Sequence, residues 1–337
     1  MWGIKNNKIL PLLIVGAIFF VLFLSFDFET YQKHHTTASR VVWEQKYLEN
    51  AIVIVGPHSE DWVIDKINHA RERIWVGVYT FTLPNMREAL LRAKKTGIDV
   101  RVMLEKNPFG NTSINRETIQ FFRENNIDFH ESTEQQFSFM HAKYMIFDDE
   151  WILETANWTR SSFSSNREFF ISWSDSLILE NLAYIFENDF AWWIWISRDL
   201  RLLAGPTNAR ERLVLFLEKA SQSIDIYAPD FSDSLLIDRL DQICQSGRRV
   251  RLLIADYPGE DEQENHGDCI QTRKMKKPLH AKVLIRDKWD TFVGSFNYTK
   301  NSLENNREMG LFLSWSATKS ISQTFESDWK QAEVALH

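Results

Sequence analysis

Met140-His141-Ala142-Lys143-Tyr144-Met145-Ile146-Phe147-Asp148 recurs as Leu279-His280-Ala281-Lys282-Val283-Leu284-Ile285-Arg286-Asp287, 139 positions further on. Each copy reads His-x-Lys-x-x-x-x-Asp. The β-branched and aromatic residues after each Lys predict a strand, on which positions i and i+2 share a face, so His and Lys are expected to project together. The copies stay in step beyond the motif. Asn157-Trp158-Thr159 matches Asn297-Tyr298-Thr299, Asn166-Arg167-Glu168 matches Asn306-Arg307-Glu308, and the step from Asn157 to Glu168 equals that from Asn297 to Glu308.

The repeat extends upstream. Ala51 to Val55 reads as a short apolar strand closed by Gly56-Pro57, and Trp62, Val63, Ile67 and Ala70 sit at helical spacing. Ile74 to Tyr79 reads as a buried strand, Met86 to Lys95 as a helix stopped by Gly97, and Val100 to Leu104 as a further strand. Gly205-Pro206, Arg212 to Ala220, Ile224 to Tyr227 and Arg249 to Ile254 replay that order. Such alternation predicts α/β lobes, each a mostly parallel sheet flanked by helices. A chain of 337 residues exceeds one usual core, and the repeat divides it into two pseudo-symmetric lobes, expected at 49–200 and 201–337. The apolar stretch from Leu182 to Leu203, with Trp192, Trp193 and Trp195, is expected as a buried joining helix. Glu187, Asp189, Arg198 and Asp199 interrupt it too often for a membrane span.

The amino terminus reads differently. After Lys5 and Lys8, residues 9–26 carry no charge and are long enough to cross a hydrocarbon layer of about 30 Å. No small-x-small cleavage site follows, so the run is expected to be an uncleaved transmembrane signal anchor between a cytoplasmic tail, 1–8, and a polar tether, 27–48. Lys5 and Lys8 ahead of the run, against Asp27 and Glu29 behind it, predict catalytic lobes on the outer, extracytoplasmic side. A net charge of −7 and a pI near 5.8 argue against a broad nucleic-acid footprint. The segment before His280 is first acidic, Glu260-Asp261-Glu262, then basic, Arg273-Lys274-Met275-Lys276-Lys277; it reads as a solvated surface loop, with bordering the site and contacting phosphate as the alternative because it leads straight into His280. Cys244 and Cys269 have no metal or redox spacing and can form at most one disulfide.

Cleaving a phosphodiester takes a nucleophile at phosphorus, cations or donors on the non-bridging oxygens, and an acid for the departing alkoxide. His141 and His280 supply nucleophile and acid; Lys143, Lys282, Asn157 and Asn297 are suited to hold the phosphate oxygens. Glu168 and Glu308 are expected to accept a hydrogen bond from the far ring nitrogen of a His, fixing its tautomer. This chemistry calls for no metal and no cofactor, and the sequence carries no HExxH or clustered Asp motif. Asp148 and Asp287 lie seven residues past their His, on the opposite strand face, and are expected to be structural.

On these residues the chain resembles the phospholipase D superfamily, with its duplicated HKD motif. The second copy is complete through Gly294-Ser295-Phe296-Asn297. The first carries Glu154-Thr155-Ala156-Asn157, without the Gly, and runs one residue shorter from Asp148 to Asn157 than from Asp287 to Asn297. The resemblance implies a phosphohistidine intermediate, with His141 as nucleophile, His280 as acid and a site complete within one monomer. Thr155 and Ser295 are expected to contact substrate. The leading expectation is hydrolysis of a glycerophospholipid head group to phosphatidic acid at a phospholipid membrane. Alternatives are phosphatidyl transfer to an alcohol, as in cardiolipin synthases, and a tethered nuclease holding single-stranded nucleic acid along Arg248, Arg249, Arg251 and Lys274 to Lys277. A silent phosphate-binding lobe pair is the non-enzymatic alternative.

Overall fold

The computed structural model describes residues 45–191, 197–256 and 269–334. The expected tail, span and most of the tether lie outside the described residues, as do Trp192, Trp193, Trp195 and the acidic Glu260-Asp261-Glu262. Among the described residues no helix is long and apolar enough to cross a membrane.

Gln45–His337 forms one compact unit built on two sheets. The first half runs β1 (Ile52–Val55), α1 (Glu60–His69), β2 (Arg73–Val78), α2 (Pro84–Lys95), β3 (Asp99–Leu104), α3 (Arg116–Glu124), β4 (Asp128–Glu131), β5 (Tyr144–Phe147), β6 (Glu150–Glu154), α4 (Arg160–Ser164), β7 (Phe169–Trp173) and α5 (Ser176–Phe190). The second runs β8 (Leu202–Ala204), α6 (Ala209–Glu218), β9 (Ser223–Ala228), α7 (Ser234–Gln245), β10 (Arg249–Ala255), β11 (Gln271–Met275), β12 (Lys282–Arg286), β13 (Asp290–Gly294), α8 (Lys300–Glu304), β14 (Met309–Ser314), α9 (Ser316–Gln331) and β15 (Glu333–Val334). The first sheet has the order β1-β7-β6-β5-β2-β3-β4. The second repeats it as β8-β14-β13-β12-β9-β10-β11 and adds β15 at the edge.

These sheets are mixed, which corrects the expectation of mostly parallel ones. Among the described strands, β2-β3-β4 and β9-β10-β11 run parallel and the other strand pairings are antiparallel. The cause is local. Asp148 at φ 49° and Asp287 at φ 53° take the left-handed conformation just after β5 and β12, and links this short can only join antiparallel neighbours. The shorter interval of the first copy falls in this turn, Asp148-Asp149 against Asp287-Lys288-Trp289, so the strands keep matched register.

Alternation along the motif strand builds the core from both sides. Tyr144 and Ile146 enter a central cluster with Val283, Ile285 and Leu311 of the other lobe, whereas Met145 and Phe147 enter the first lobe's outer core. The central cluster also takes Ile178, Leu182, Ile185 and Phe186 of α5 and Ile321 and Phe325 of α9. The joining helix therefore starts earlier than expected and stops at Phe190, where Ala191 caps it. Leu48, the last residue of the stretch expected as tether, is buried and bridges Leu313. Cys244 and Cys269 are disulfide-bonded, tying the end of α7 to the start of β11.

Candidate active site

The histidines do not ride on the strands themselves. β5 begins after Lys143 and β12 begins at Lys282, so both His lie in extended lead-ins. Each lead-in is held by the opposite lobe. Met140 forms a parallel bridge with Arg307, and Leu279 forms one with Arg167. The His141 amide donates to the Arg307 carbonyl at 2.9 Å, and the His280 amide to that of Arg167 at 3.3 Å.

This pairing explains how the carboxylates are distributed. Glu308 follows Arg307 and receives His141 Nδ1 at 2.9 Å; Glu168 follows Arg167 and receives His280 Nδ1 at 2.8 Å. Each imidazole is thus oriented by the Glu of the other lobe. With Nδ1 engaged, the Nε2 of each ring is the nitrogen left for chemistry. The same Asn-Arg-Glu segments carry crossed ion pairs: Arg167 grips Asp328 of α9 at 2.7 Å, and Arg307 grips Asp189 of α5 at 2.7 Å. The site straddles the two lobes.

Thr155 and Ser295 lie beneath the carboxylates, which corrects their expected role as substrate contacts. Both are fully buried, and their hydroxyls donate at 2.5 Å to Glu168 and Glu308 respectively. Missing the Gly costs the first copy nothing at this hydroxyl, because the threonine keeps the donor. Asn157 and Asn297 are half-buried, and each has an Oδ1 with no hydrogen-bond partner. Each Lys folds its ammonium onto the carbonyl of its own His at 2.5 Å. Asp148 accepts the amides of Arg71 and Glu72 at 2.8 Å, and Asp287 accepts those of Ser221 and Gln222 at 2.8 and 2.7 Å. Both aspartates therefore brace the starts of β2 and β9, the antiparallel neighbours of β5 and β12, away from the imidazoles.

The buried charges lean on one another. Burial pushes the His141 imidazole down to about 4; Glu308 opposes this, and Lys143 and Lys282 add to it. Burial likewise lowers His280 against the pull of Glu168. Burial brings Lys143 down to about 7 and Lys282 to about 8, with the opposing pull of Glu308 and Glu168 respectively the next largest influence. For Glu308 and Glu168 burial alone would raise the pKa, but the partner His and the nearby lysines outweigh it and both stay low. The result is two anchored carboxylates, two imidazoles each backed by a carboxylate that favours a proton on the ring, and two lysines whose charge a bound anion would strengthen.

Several neighbours escaped the sequence reading. Glu105 is buried and receives the Met140 amide at 2.6 Å, one residue from His141. The Tyr79 ring meets the His141 ring edge-on at 4.7 Å. Glu154, in the place of Gly294, is buried; its Oε1 accepts Trp158 Nε1 at 2.7 Å, while its Oε2 has no partner. The crossed Asp189 and Asp328 carried a signal, since they recur at the 139-residue spacing of the motifs. Glu105, Tyr79 and Glu154 are unrepeated, and nothing in the spacing marks them.

A family described as cardiolipin synthase, PLD-like domain, matches residues 63–192 and 213–329, one match per lobe. A curated relative, "Phospholipase D" of Rickettsia prowazekii, is 26% identical over 142 residues, which span 39% of this chain and 67% of the relative. Among solved structures, the polyphosphate kinase of Porphyromonas gingivalis superposes with a TM-score of 0.68 at 15% identity, covering 86% of this chain; the chain spans only 52% of the kinase. The phosphatidylserine synthase of Haemophilus influenzae superposes with a TM-score of 0.64 at 12% identity, over 85% of this chain and 88% of the synthase. At such identities the structures speak for the fold.

Proposed function

The chain belongs to the phospholipase D superfamily, in the family described as cardiolipin synthase, PLD-like domain, and we propose that it cleaves phosphodiesters through a covalent phosphohistidine. The observation that carries this reading is the crossed pairing of each imidazole Nδ1 with the other lobe's carboxylate. His141 Nε2 attacks phosphorus and the bond to the leaving alkoxide breaks, taking the proton of His280 Nε2. Lys143, Lys282, Asn157 and Asn297 hold the non-bridging oxygens. His280, now a base, takes a proton from water as its oxygen bonds to phosphorus and the bond to His141 breaks.

The substrate class we assign is the glycerophospholipid, cleaved on the head-group side to leave phosphatidic acid. The family description and the curated relative's name support it, as does the uncharged run at residues 9–26. Transfer to an alcohol is the second reading, favoured by the cardiolipin synthase description; it uses the same phosphoenzyme with an alcohol in place of water. The disulfide supports lobes on the outer side of the membrane, in an oxidising compartment.

The test uses the full chain reconstituted in mixed-head-group vesicles, with chelator, beside labelled single-stranded DNA. Phosphatidic acid release that vanishes in His280→Ala is expected, and a phosphatidyl alcohol forming when glycerol is added would select the transferase. Cleavage of DNA with intact lipid would overturn the lipid reading.

A further inference from the structure

The segment between β3 and α3 is built to project. Asn115 pins its base, its Oδ1 accepting the Phe81 amide and its Nδ2 donating to the carbonyls of Tyr79 and Glu105, each at 2.9 Å. Gly110, at φ 76°, makes a turn that presents Phe109, the most exposed large apolar side chain among the described residues at 86%. Lys106, Arg116 and Arg123 line a surface cleft beside it of about 480 Å³, shared with Glu124 and Glu131, of which Glu131 meets Arg123 at 3.4 Å. Among the described residues Lys106 and Arg116 form no salt bridge.

This segment is one side chain away from the reacting nitrogen. The Phe109 amide donates to Tyr79 Oη at 2.6 Å, and the same ring packs edge-on with His141, with Lys143 Nζ 5.3 Å from its centroid. Glu105, at the base, takes the Asn107 amide at 2.8 Å and the Met140 amide at 2.6 Å, joining the loop to the His141 lead-in. The second lobe has Pro229 in the place of Tyr79, so this linkage serves His141 alone.

We propose that the β3–α3 segment docks the catalytic face on an anionic phospholipid surface, Phe109 entering the acyl boundary while Lys106 and Arg116 meet lipid phosphates. The proposal rests on the lipid reading above and deepens it by naming the face that meets the membrane. An apolar tip beside unpaired cations matches the charge and polarity gradient of a lipid interface.

Vesicles of phosphatidylethanolamine and phosphatidylglycerol, carrying the reconstituted full chain, test this beside a soluble diester, bis(p-nitrophenyl) phosphate. Phe109→Asp and the pair Lys106→Glu, Arg116→Glu are expected to lower lipid turnover by about tenfold or more, in line with the partition gain of a buried Phe, while leaving the soluble diester within about twofold. Equal losses on both substrates, or no loss on lipid, would overturn the proposal. The exposed Trp289–Trp315 pair, packed at 4.8 Å beyond the opposite ends of β12 and β14, is the control face. If alanines there lower lipid turnover selectively and Phe109→Asp does not, the docking face is that one. A second readout needs no turnover: Phe109→Cys labelled with an environment-sensitive fluorophore is expected to blue-shift on vesicles and resist aqueous quenchers. A probe that enters lipid in a chain that leaves lipid intact would keep the docking and sink the lipid substrate; a probe that stays in water sinks the docking.

Discussion

Around His280 the nearest groups are Glu168, Lys282 and, one layer down, Thr155; around His141 they are Glu308, Lys143, Ser295 and, in addition, the ring of Tyr79. Each carboxylate takes the Asn of its own segment, Asn166 at 3.4 Å and Asn306 at 3.2 Å, but Glu308 also takes Ser302 at 2.6 Å, whereas Ser162, the counterpart of Ser302, lies beside Thr159 at 3.0 Å instead. Below the first motif Glu154 bonds Trp158; below the second stand Gly294 and Tyr298, whose Oη has no partner. A Cβ on Gly294 would lie 2.3 Å from the Met309 carbonyl oxygen, so the second sheet is closed there where the first admits a carboxyl group. The repeated residues form the reacting set, and the unrepeated ones give each imidazole a different setting. In the proposed mechanism, that difference is what would set the attacking His apart from the donating one.

The comparison is broken most sharply by removing either ring. His141→Ala and His280→Ala are each expected to lower turnover of an unactivated diester by roughly a thousandfold or more, and the double variant to lose little beyond that, because the pair acts as a unit. Additive losses would mean two independent sites.

Glu308→Gln and Glu168→Gln are expected to cost about a hundredfold, on the scale of losing an orienting partner. Imidazole NMR sharpens the point: Glu308→Gln should move the resonances of His141, in the other lobe, and leave those of His280. The reverse pattern would refute the crossing.

The lysines offer a smaller effect with a defined sign. Burial holds Lys143 at about 7 and Lys282 at about 8, so near pH 8 both are partly neutral. A bound oxyanion raises them, and binding of inorganic phosphate at pH 8 should therefore take up protons, read by calorimetry in buffers of different ionisation enthalpy. Uptake should be lost in Lys143→Met with Lys282→Met.

Glu154→Gln is the mildest change. Burial raises this carboxyl to about 8, with the Trp158 bond opposing, so it is neutral at pH 7 and the amide mimics it. Activity there is expected within about threefold, as for an isosteric neutral swap. A group raised on folding contributes stability that is complete below its unfolded pKa of 4.5 and lost as pH rises through 8. Thermal unfolding of the native chain should therefore fall between pH 5 and 9 relative to Glu154→Gln; parallel profiles would show Glu154 charged throughout.

Much of this was legible from repetition. The two motifs, their Asn and Glu followers and the lobes declare themselves because duplicated residues stay in register along the chain. Strand direction was hidden, since a turn of Asp148-Asp149 decides it and hydrophobic pattern does not. The partnering of Glu308 with His141 was hidden too: it depends on Met140 pairing with Arg307, a contact between residues 167 positions apart. Thr155 and Ser295, expected to contact substrate, are reassigned by their burial beneath the carboxylates, which a local motif does not reveal.

The central claim is a covalent intermediate formed in a site that both lobes build. His280→Ala incubated with bis(p-nitrophenyl) phosphate, quenched rapidly in alkali and digested for mass spectrometry, tests it most directly. The good leaving group needs no acid, while breakdown needs the missing base, so a p-nitrophenylphosphoryl adduct is expected to accumulate on His141 and to be absent in His141→Ala. Release of nitrophenol on the timescale of turnover with no adduct on either histidine would contradict the account.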